Sequence, residues 1–429
     1  MKKILFFFLA FTAGAYAQPS LSVRDAMDLA IVRNYDLQIA RNTAEEFRLN
    51  NSPGNAGAFP SVEFNARDRQ SRFDVAQDFS NGTQISRKGT TSNALGADVT
   101  LNVTLFNGFR IRATQSRYAA LQEVGEQKLI LQIQNTLSQV IFRYFDVDRL
   151  KRYHSALERS REFADQKLKI IEQRRELGLA NNADLFQARI DLNATDQHLA
   201  EQQLLIRRAE VDLAVTLGVD PDTLFTLTDS VIIDTGISLD SVLSKMDAFP
   251  ELLTAAAMTN VNEEYIREAR AARMPSLRMD GGYGYSRTEN SGGFSLLNEF
   301  NGPSVGATLQ IPLFNGGIFQ TQEKVARLRL SSSQADAKSV RQKVEAQVIK
   351  AYQAYRIALG QVNQQTESHE LAGQLLDIQL MRFTNGQSTI LDLRAAQSGY
   401  EDAAAGLVNA KFVAKIAETE LFRLMTSLK

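Results

Sequence analysis

The chain has 429 residues, of which 44% are hydrophobic, and this is enough to bury a sizeable core. Its 48 Lys and Arg residues nearly balance its 49 Asp and Glu residues, so the composition carries no basic footprint for nucleic acid. Cysteine is absent, which excludes disulfide bonds, thiolate metal sites, cysteine nucleophiles and a cysteine-linked lipid anchor.

The N-terminus has the pattern of a secretory signal peptide. Lys2 and Lys3 precede an apolar run from Ile4 to Ala15, and Ala15-Tyr16-Ala17 is a small-x-small cleavage signal. We therefore predict cleavage before Gln18. No later apolar run is long enough for a transmembrane helix, so a membrane crossing by this chain would have to use strands.

The first half begins with helical spacing of apolar residues, which predicts a helix from Leu21 to Asn50. A strand with alternating apolar residues begins near Val62, and a polar loop is predicted from about Phe73 to Asn93. The clearest alternation runs from Leu95 to Leu105, with a polar or small residue at every second position. This pattern predicts a strand with one apolar and one polar face.

Two long helices are predicted next. From about Ile111 to Glu176 the chain contains no proline, and apolar residues recur every three or four positions as in a coiled-coil seam. Leu177-Gly178 ends this helix. The following helix is predicted from about Asp184 to Leu217, with Asn181 or Asn182 as its cap.

A joint between the halves contains two predicted short strands, Leu224–Leu227 and Val231–Ile233, and a helix from about Asp240 to Ala272 follows. The remaining predicted elements repeat the plan of the first half. They are strands at Leu277–Tyr285 and Val305–Leu313, a proline-free helix from about Phe319 to Phe383, and a last helix that reaches the C-terminus.

The two halves are copies of one plan, because paired motifs recur at an offset of 208 residues. Leu105-Phe106-Asn107-Gly108 recurs as Leu313-Phe314-Asn315-Gly316. Likewise, a Gly-(x)5-Asp-Leu motif at Gly178 recurs at Gly386. The matched register across these motifs indicates an internal duplication.

Four amphipathic strands of about ten residues have the length that tilted membrane strands need. Four strands cannot close a barrel by themselves, and an open edge is not tolerated in lipid. The simplest solution is a barrel to which several chains contribute four strands each, with the apolar face toward lipid and the polar face toward a wet lumen. The long helices would then lie outside the membrane, as a tube that continues the barrel.

The duplicated motifs, with the strand openings Phe59-Pro60-Ser61 and Met274-Pro275-Ser276, resemble the TolC family of bacterial outer-membrane efflux proteins. The resemblance implies an α+β membrane protein with an internal two-fold repeat. It implies a homotrimer in which four transmembrane β-strands per chain contribute to a shared 12-stranded barrel, which a long periplasmic α-helical barrel continues. The implied domains are a signal peptide at residues 1–17, a first efflux repeat at 18–218, an equatorial linker at 219–239 and a second efflux repeat at 240–429.

The resemblance also implies a passive exit duct in the outer membrane of a Gram-negative cell, with a large periplasmic part. Such a duct serves tripartite efflux or type I secretion, with a periplasmic adaptor and an inner-membrane transporter of the RND, ABC or MFS type. The expected partners are two further copies of the chain, the adaptor, the transporter and outer-membrane lipid, without nucleic acid. Since no nucleophile–base pair or metal-ligand spacing is present, we expect no enzyme activity, cofactor or metal.

By resemblance, the two Gly-(x)5-Asp turns are the periplasmic tips at which the adaptor docks. This assigns the docking site to Gly178, Leu179, Asp184, Leu185, Arg189, Gly386 and Leu393. Asp392 matches an aspartate that rings the closed aperture, but the second aspartate of that ring falls on Ala395. A hydrophobic closure through Leu391 or Leu393 is therefore expected instead.

Asp184 matches a gate aspartate of the family, but its tyrosine and arginine partners fall on Phe383 and Ser388. We therefore expect that this hydrogen-bonded latch is absent. Strand parity predicts the residues that face lipid, namely Val99, Leu101, Val103, Leu309 and Ile311. Thr100, Asn102, Thr308 and Gln310 are predicted to face the lumen.

Two other protein classes remain open from the residues alone. A periplasmic adaptor would have one coiled-coil hairpin flanked by β-modules, and a filamentous coiled coil would lack the alternating strands. The three histidines, His154, His198 and His369, are scattered singly and are expected in solvated or inter-helix positions. Asp98 and Asp280 lie on polar strand faces, where they would bias a lumen toward cations.

Overall fold

The computed structural model describes residues 20–428, so the predicted signal peptide lies outside the described residues. The chain divides into two compact units, which are described separately. Unit 1 contains residues 20–41, 129–250 and 341–428, and unit 2 contains residues 42–128 and 251–340. Across residues 20–428, every helix is either too short or too polar to pass through a membrane.

Eight α-helices lie within the described residues, and the two longest have 67 residues each, which confirms the two predicted proline-free helices. Their bounds are α1 Val23–Arg33, α2 Tyr35–Asn50, α3 Arg110–Glu176, α4 Asn182–Leu217, α5 Leu239–Lys245, α6 Pro250–Ala271, α7 Ile318–Thr384 and α8 Ile390–Leu424.

The prediction of one helix from Leu21 to Asn50 is wrong, because Asn34 separates α1 from α2. The side-chain amide of Asn34 donates to the carbonyl of Thr216 at 2.8 Å, and its Oδ1 accepts from the N–H of Leu37 at 3.0 Å. Asn34 therefore caps the start of α2 and ties it to α4. Asn34 is buried, so these bonds also satisfy polar atoms that water does not reach.

The prediction of one helix from Asp240 to Ala272 is also wrong. A 3-10 turn, Met246–Ala248, and an extended residue, Phe249, separate α5 from α6. The break has a local cause, since Pro250 has no N–H to donate and disfavours a helical conformation in the residue before it. Proline is instead well placed at the first position of α6.

The joint between the repeats contains less β-structure than predicted. Its strand β4 is only Thr226–Leu227, which pairs in parallel with β1, Ser20–Leu21, and Val231–Ile233 is not a strand. Side chains hold the joint instead. The hydroxyl of Tyr144 donates to the carbonyl of Leu21 at 2.8 Å and accepts from the N–H groups of residues 228 and 229.

Two hydrophobic cores are found among the described residues of unit 1. The larger one lies where α1, α3 and α4 meet, and its fully buried members include Ala30, Leu137, Val140, Tyr144, Leu213 and Leu217. The second joins α3, α4, α7 and α8 and consists of Ile171, Leu185, Ala188, Leu376, Phe383, Leu393, Ala396 and Tyr400. We call this second cluster the turn core, because it lies beside the turns that connect α3 to α4 and α7 to α8.

Unit 2 is built on a four-stranded antiparallel sheet with the order β2-β3-β5-β6. Its strands are β2 Ser61–Asp78, β3 Gln84–Asn107, β5 Ser276–Asn290 and β6 Leu297–Gln310. The prediction of a loop from Phe73 to Asn93 is wrong. β2 and β3 extend through most of this range, and only residues 79–83 form a turn. A bulge between Phe73 and Val75 absorbs the irregularity, and polar side chains are compatible with a strand whose two faces are exposed.

The register of the sheet places apolar residues in rows. Val62, Leu101, Gly281 and Val305 stand side by side, and the next row on the same face is Phe64, Val99, Tyr283 and Pro303. The opposite face has rows such as Glu63, Thr100, Gly282 and Ser304. The predicted alternation is therefore consistent across all four strands.

The Leu-Phe-Asn-Gly motif connects the sheet to the long helices. A bulge at Leu105 shifts the register, so that Phe106 rather than Leu105 pairs with Leu277 on the apolar face. Asn107 Oδ1 then accepts from the N–H of Ile111 at 3.2 Å, which caps α3. Gly108 has a φ of 68°, and a Cβ there would lie 2.2 Å from that of Met274, so glycine is required.

Candidate functional site

The two turns at the ends of the long helices have the same hydrogen bonds. Gly178 has a φ of 72° and its N–H donates to the carbonyl of Arg175, while the N–H of Leu179 donates to the carbonyl of Arg174. Gly386 has a φ of 75° and repeats this pattern with Phe383 and Arg382. Both turns are left-handed helix ends of the Schellman type, which favour glycine.

The aspartates of the two motifs start the next helices. Asp184 Oδ2 accepts from the N–H of Asn181, and Asn181 Oδ1 accepts from the N–H of Asp184 at 2.8 Å. Thr389 and Asp392 form the same reciprocal pair at the start of α8. The Gly-(x)5-Asp spacing is therefore that of a helix end followed by a capping box.

Asp392 is predicted to be part of a ring of aspartates at the aperture. Its carboxylate is exposed, but it already accepts hydrogen bonds within its own chain. It accepts from the N–H of Thr389 at 2.9 Å and from the hydroxyl of the same residue at 2.8 Å. These bonds, the main-chain one first, lower the pKa of Asp392 below its ordinary value. The carboxylate is thus held as an anion at the first turn of α8, where the helix dipole also favours it.

The leucines of the predicted docking and aperture sites fall into two groups. Leu185 and Leu393 are only 2% exposed and belong to the turn core, so they stabilise the helices of their own chain. Leu179 and Leu391 are 75% and 68% exposed, and Leu177 beside them is similarly open. Only this second group can meet another molecule without unfolding the turn.

Arg189, which was also assigned to the tip, donates to Glu172 across the α3–α4 hairpin at 3.2 Å. The two positions that replace the family's gate partners are used within the chain as well. Phe383 is buried in the turn core, and the hydroxyl of Ser388 donates to the carbonyl of Gln379. Asp184 bonds to Asn181 rather than to either of them.

Arg174 is a turn residue that the sequence did not single out. Its guanidinium donates to the carbonyls of Phe383 and Thr384 at the end of α7, and it lies 4.6 Å from the centre of the Phe383 ring. Arg174 thus links the first turn to the second. Its repeat counterpart at the 208-residue offset, Arg382, donates to the carbonyl of Gln387. A comparison of the two copies could therefore have found both arginines.

The residues predicted to face lipid lie together on the sheet, with one exception. Val99, Leu101 and Val103 share the face that also carries Tyr283, and Leu309 pairs with Leu277 on that face. Ile311 lies one residue beyond the end of β6, before Pro312, so no ladder fixes which face it takes. Asp98, on the opposite face, accepts from the side-chain amide of Asn65 at 3.2 Å.

The histidines lie apart from one another. His369 stacks on Tyr400 with 5.3 Å between ring centres, and His154 lies 3.7 Å from Glu158. Within residues 20–428, no three His, Asp or Glu side chains are grouped so as to hold a metal ion. The two turns and the sheet are therefore the features on which a functional assignment rests.

The sequence with this duplicated helical hairpin and amphipathic four-stranded sheet matches a known family. The sequence profile of the family described as outer membrane efflux protein matches residues 26–219 and 248–427. The chain belongs to the outer membrane efflux protein family. This membership confirms the TolC-like assignment, the outer-membrane location and the role as an exit duct of efflux or secretion systems. It also removes the adaptor and the filament as alternatives.

Individual relatives of this efflux protein agree with the assignment. Outer membrane protein TolC of Escherichia coli (strain K12) is 23% identical over 350 residues, which are 78% of this chain and 69% of that protein. Protein CyaE of Bordetella pertussis is 26% identical over 346 residues, 79% of this chain and 70% of that protein. Outer membrane efflux protein BepC of Brucella suis is 21% identical over 323 residues, 75% and 70% of the two chains.

Solved structures confirm the fold of the efflux protein. The Campylobacter jejuni CmeC outer membrane channel has a TM-score of 0.77 at 18% identity and covers 94% of this chain and 85% of its own. A membrane protein from Pseudomonas aeruginosa also has a TM-score of 0.77, at 19% identity, with 94% and 93% coverage. The predicted α+β, TolC-like fold class is therefore correct.

Proposed function

We propose that three copies of this chain assemble into a duct that crosses the outer membrane. The observation that carries the proposal is the sheet of unit 2. Its outer strands, β2 and β6, each have one edge without a partner strand among residues 20–428. On the apolar face, Val62, Phe64, Tyr283 and Val305 are 57–79% exposed.

One assembly accounts for both features. If β6 of one copy pairs with β2 of the next, three copies close the 12-stranded barrel and no strand edge remains open. The apolar face then lies against hydrocarbon, and the polar face surrounds a wet lumen. In this arrangement Val99, Leu101, Val103 and Leu309 meet lipid.

The helices of unit 1 support the same assembly. α3 lies between α4 and α8, since Lys167 pairs with Asp191 of α4, and Gln397 of α8 donates to Ser160. α7 packs against α8, since His369 stacks on Tyr400 and Gln347 donates to Glu420, so α4 and α7 are at the two sides of the four-helix array. These two helices carry the exposed apolar stripes of the array, which are Phe186 and Ile190 on α4 and Leu371, Leu375, Ile378 and Met381 on α7. In a closed ring, each α4 stripe would be covered by the α7 stripe of the next copy.

The two turns fit a docking role. Along the sequence, each long helix begins near a strand and ends at one of these turns. Leu177, Leu179 and Leu391 are apolar and exposed at tight turns, which a partner's helix would cover in the helix-in-groove mode. We assign this surface to a periplasmic adaptor, which would connect the duct to an inner-membrane transporter of the RND, ABC or MFS type. Transport through the duct is passive and requires no catalysis, metal or cofactor.

We propose the domain division that the sequence predicts. Residues 18–218 and 240–429 are the two efflux repeats, and residues 219–239 are an equatorial linker after a cleaved signal peptide at residues 1–17. The matching hydrogen bonds of the turns at Gly178 and Gly386 support a division into two copies.

Oligomeric state tests the assembly. Native mass spectrometry of the mature protein in mild detergent should show three chains. Leu375→Glu places a charge in the α7 stripe and should lower the trimer fraction, whereas Gln374→Glu, at an exposed polar position beside it, should not. A stable, folded monomer of the unchanged protein would refute the assembly.

Adaptor docking is tested at the turns. Leu179→Glu and Leu391→Glu should abolish adaptor binding and export while the trimer still forms, because both side chains are exposed. Ile232→Glu is the matched control, since Ile232 is 75% exposed but lies in the linker. Normal export by both turn variants would show that the docking site is elsewhere.

A further inference from the structure

Five arginines pair with two glutamates in unit 2, and Arg112 lies between two of these arginines in sequence; Arg110 follows the end of β3, and Arg273 precedes the start of β5. We call this group the arginine collar, and it consists of Arg110, Arg112, Arg117, Arg270, Arg273 and Arg327 with Glu268 and Glu323. The established activity and the duct proposed above give this group no task.

The first part of the collar is centred on Glu268 of α6. Arg117 Nε lies 2.8 Å from Glu268 Oε2, and Arg110 Nε lies 3.7 Å from Oε1. The side chain of Arg112 lies 5.5 Å over the ring of Phe109. Two arginines of α3, Arg110 and Arg117, thus share one carboxylate, and Arg112 has no carboxylate partner among these contacts.

The second part is centred on Glu323 of α7. Arg327 Nη2 lies 2.7 Å from Glu323 Oε1, Arg270 Nε lies 3.1 Å from the same oxygen, and Arg273 contacts Oε2. Hydrogen bonds from Arg327 and then Arg270 lower the pKa of Glu323, so this carboxyl remains an anion. Even so, three positive charges face one negative charge.

The collar therefore has an unbalanced charge of +4, in a chain whose net charge is −1. Residues 108–117 contain three arginines and no acidic residue. Glu323 is buried and Glu268 and Arg117 are half-buried, whereas the side chains of Arg110, Arg270 and Arg327 are 55–61% exposed. Each guanidinium has five N–H donors, and the two carboxylates occupy only a few of them.

The collar adjoins the apolar band of the sheet. Arg110 follows the last residue of β3 by three positions, and Arg273 precedes the first residue of β5 by three. Phe106, on the apolar face, and Phe109 precede Arg110 in sequence, and their rings meet edge to face at 5.4 Å. Aromatic residues flanked by cationic residues at the edge of an apolar band are typical of a membrane–water interface.

We propose that the arginine collar binds the phosphodiester headgroups of anionic phospholipids in the membrane leaflet next to the helices. The inference rests on the membrane placement of the sheet proposed above. Guanidinium groups bind phosphate oxygens through paired hydrogen bonds, and a cluster with excess charge favours an anionic over a zwitterionic headgroup. A lipid rather than a free phosphate is favoured because the apolar face beside the collar accommodates acyl chains.

The test is native mass spectrometry of the trimer titrated with phosphatidylglycerol or phosphatidylethanolamine that carry the same acyl chains. The unchanged protein should bind phosphatidylglycerol at least about tenfold more tightly. The triple variant Arg110→Gln, Arg112→Gln, Arg273→Gln leaves Glu268 paired with Arg117, and Glu323 paired with Arg270 and Arg327. It should lose the preference, because each basic residue near an anionic surface contributes roughly fivefold in affinity.

Three comparisons sharpen the result. Lysine at the same three positions should retain most of the preference, because the charge is kept. The charge-matched control Arg175→Gln, Arg208→Gln, Arg356→Gln removes three exposed arginines of unit 1 and should bind as the unchanged protein does. Arg112→Gln alone, which disturbs no ion pair with a carboxylate, should weaken phosphatidylglycerol binding by roughly fivefold even if the triple variant fails to assemble.

Equal binding of the two lipids, or full retention of the preference by the triple glutamine variant, would overturn the inference. Displacement of phosphatidylglycerol by millimolar inorganic phosphate would show that the collar takes free phosphate instead, which also overturns it. Flotation with phosphatidylcholine vesicles tests the membrane placement separately. A protein that floats but shows no lipid preference refutes only the collar, whereas one that enters no vesicle refutes the proposed placement.

Discussion

The guanidinium of Arg174 donates to the main-chain carbonyl of Phe383 and lies over its ring. Arg174 is in the last turn of α3, and Phe383 is in the last turn of α7, so a cation from one repeat closes the end of the other. The last carbonyls of a helix lack partners within the helix and carry partial negative charge, which a guanidinium satisfies.

Removal of this contact should loosen the end of α7. Arg174→Gln is expected to destabilise the turn by about 1 kcal/mol and to speed amide exchange at residues 383–387. Arg174→Lys keeps the charge but not the planar stack on Phe383, so it should have an intermediate effect. Exchange measured by mass spectrometry would contradict the account if both variants matched the unchanged protein.

Acid should weaken the start of α8. The pKa of Asp392 is lowered in the folded chain by the N–H and hydroxyl of Thr389, so its contribution to stability is complete above its ordinary value of 3.8 and is lost as the pH falls below that value. Asp392→Asn should therefore lower the melting temperature at pH 6, and this effect should shrink as the pH falls below 3.8. A difference that persists undiminished at pH 3 would contradict the capping role.

His369 should give a second pH dependence, in a different window. Its pKa is lowered by burial and then by Arg159 of α3 and Lys411 of α8, against a smaller opposing effect of Glu370 on its own helix. Stability from the neutral imidazole is thus complete above its ordinary value of 6.5 and is lost as the pH falls below that value.

The measurement is thermal unfolding between pH 7 and pH 5, where few carboxylates titrate. Part of the loss of stability across this range should disappear in His369→Phe, which keeps an aromatic ring against Tyr400. If His369→Phe has the same profile as the unchanged protein, the imidazole does not contribute in this way.

A buried ion pair offers a prediction about stability alone. Lys167 is fully buried, and its Nζ lies 2.6 Å from Asp191, which Gln187 also contacts. Lys167→Ala should destabilise unit 1 by roughly 3–5 kcal/mol, because it leaves a buried carboxylate without its main partner. The double change Lys167→Met, Asp191→Leu should be much milder. Urea unfolding followed by circular dichroism would refute this if the double variant were the less stable.

Local patterns predicted much of this fold. Alternation from Leu95 to Leu105 gave the strand and its apolar face, and the absence of proline gave the two long helices. The duplicated Gly-(x)5-Asp spacing located both turns, because a left-handed glycine and a capping aspartate are determined by nearby residues.

Apart from the break before Pro250, which has a local cause, the errors arose where distant residues decide the local structure. The break at Asn34 depends on Thr216, 182 residues away. The length of β2 and β3 depends on the hydrogen bonds between these two strands, which their polar residues do not predict. The site shows the same limit. Leu185 and Leu179 are both leucines in one turn, and only packing against the turn core separates the buried one from the exposed one.

The central claim is that the apolar face of the sheet lies in lipid, and fluorescence quenching tests it most directly. The chain contains no tryptophan, so a single introduced Trp reports on one position. Leu101→Trp and Asn102→Trp would be compared in bilayers whose acyl chains carry bromine. The account predicts strong quenching of the first variant and weak quenching of the second. Equal quenching of the two, or stronger quenching of Asn102→Trp, would contradict it.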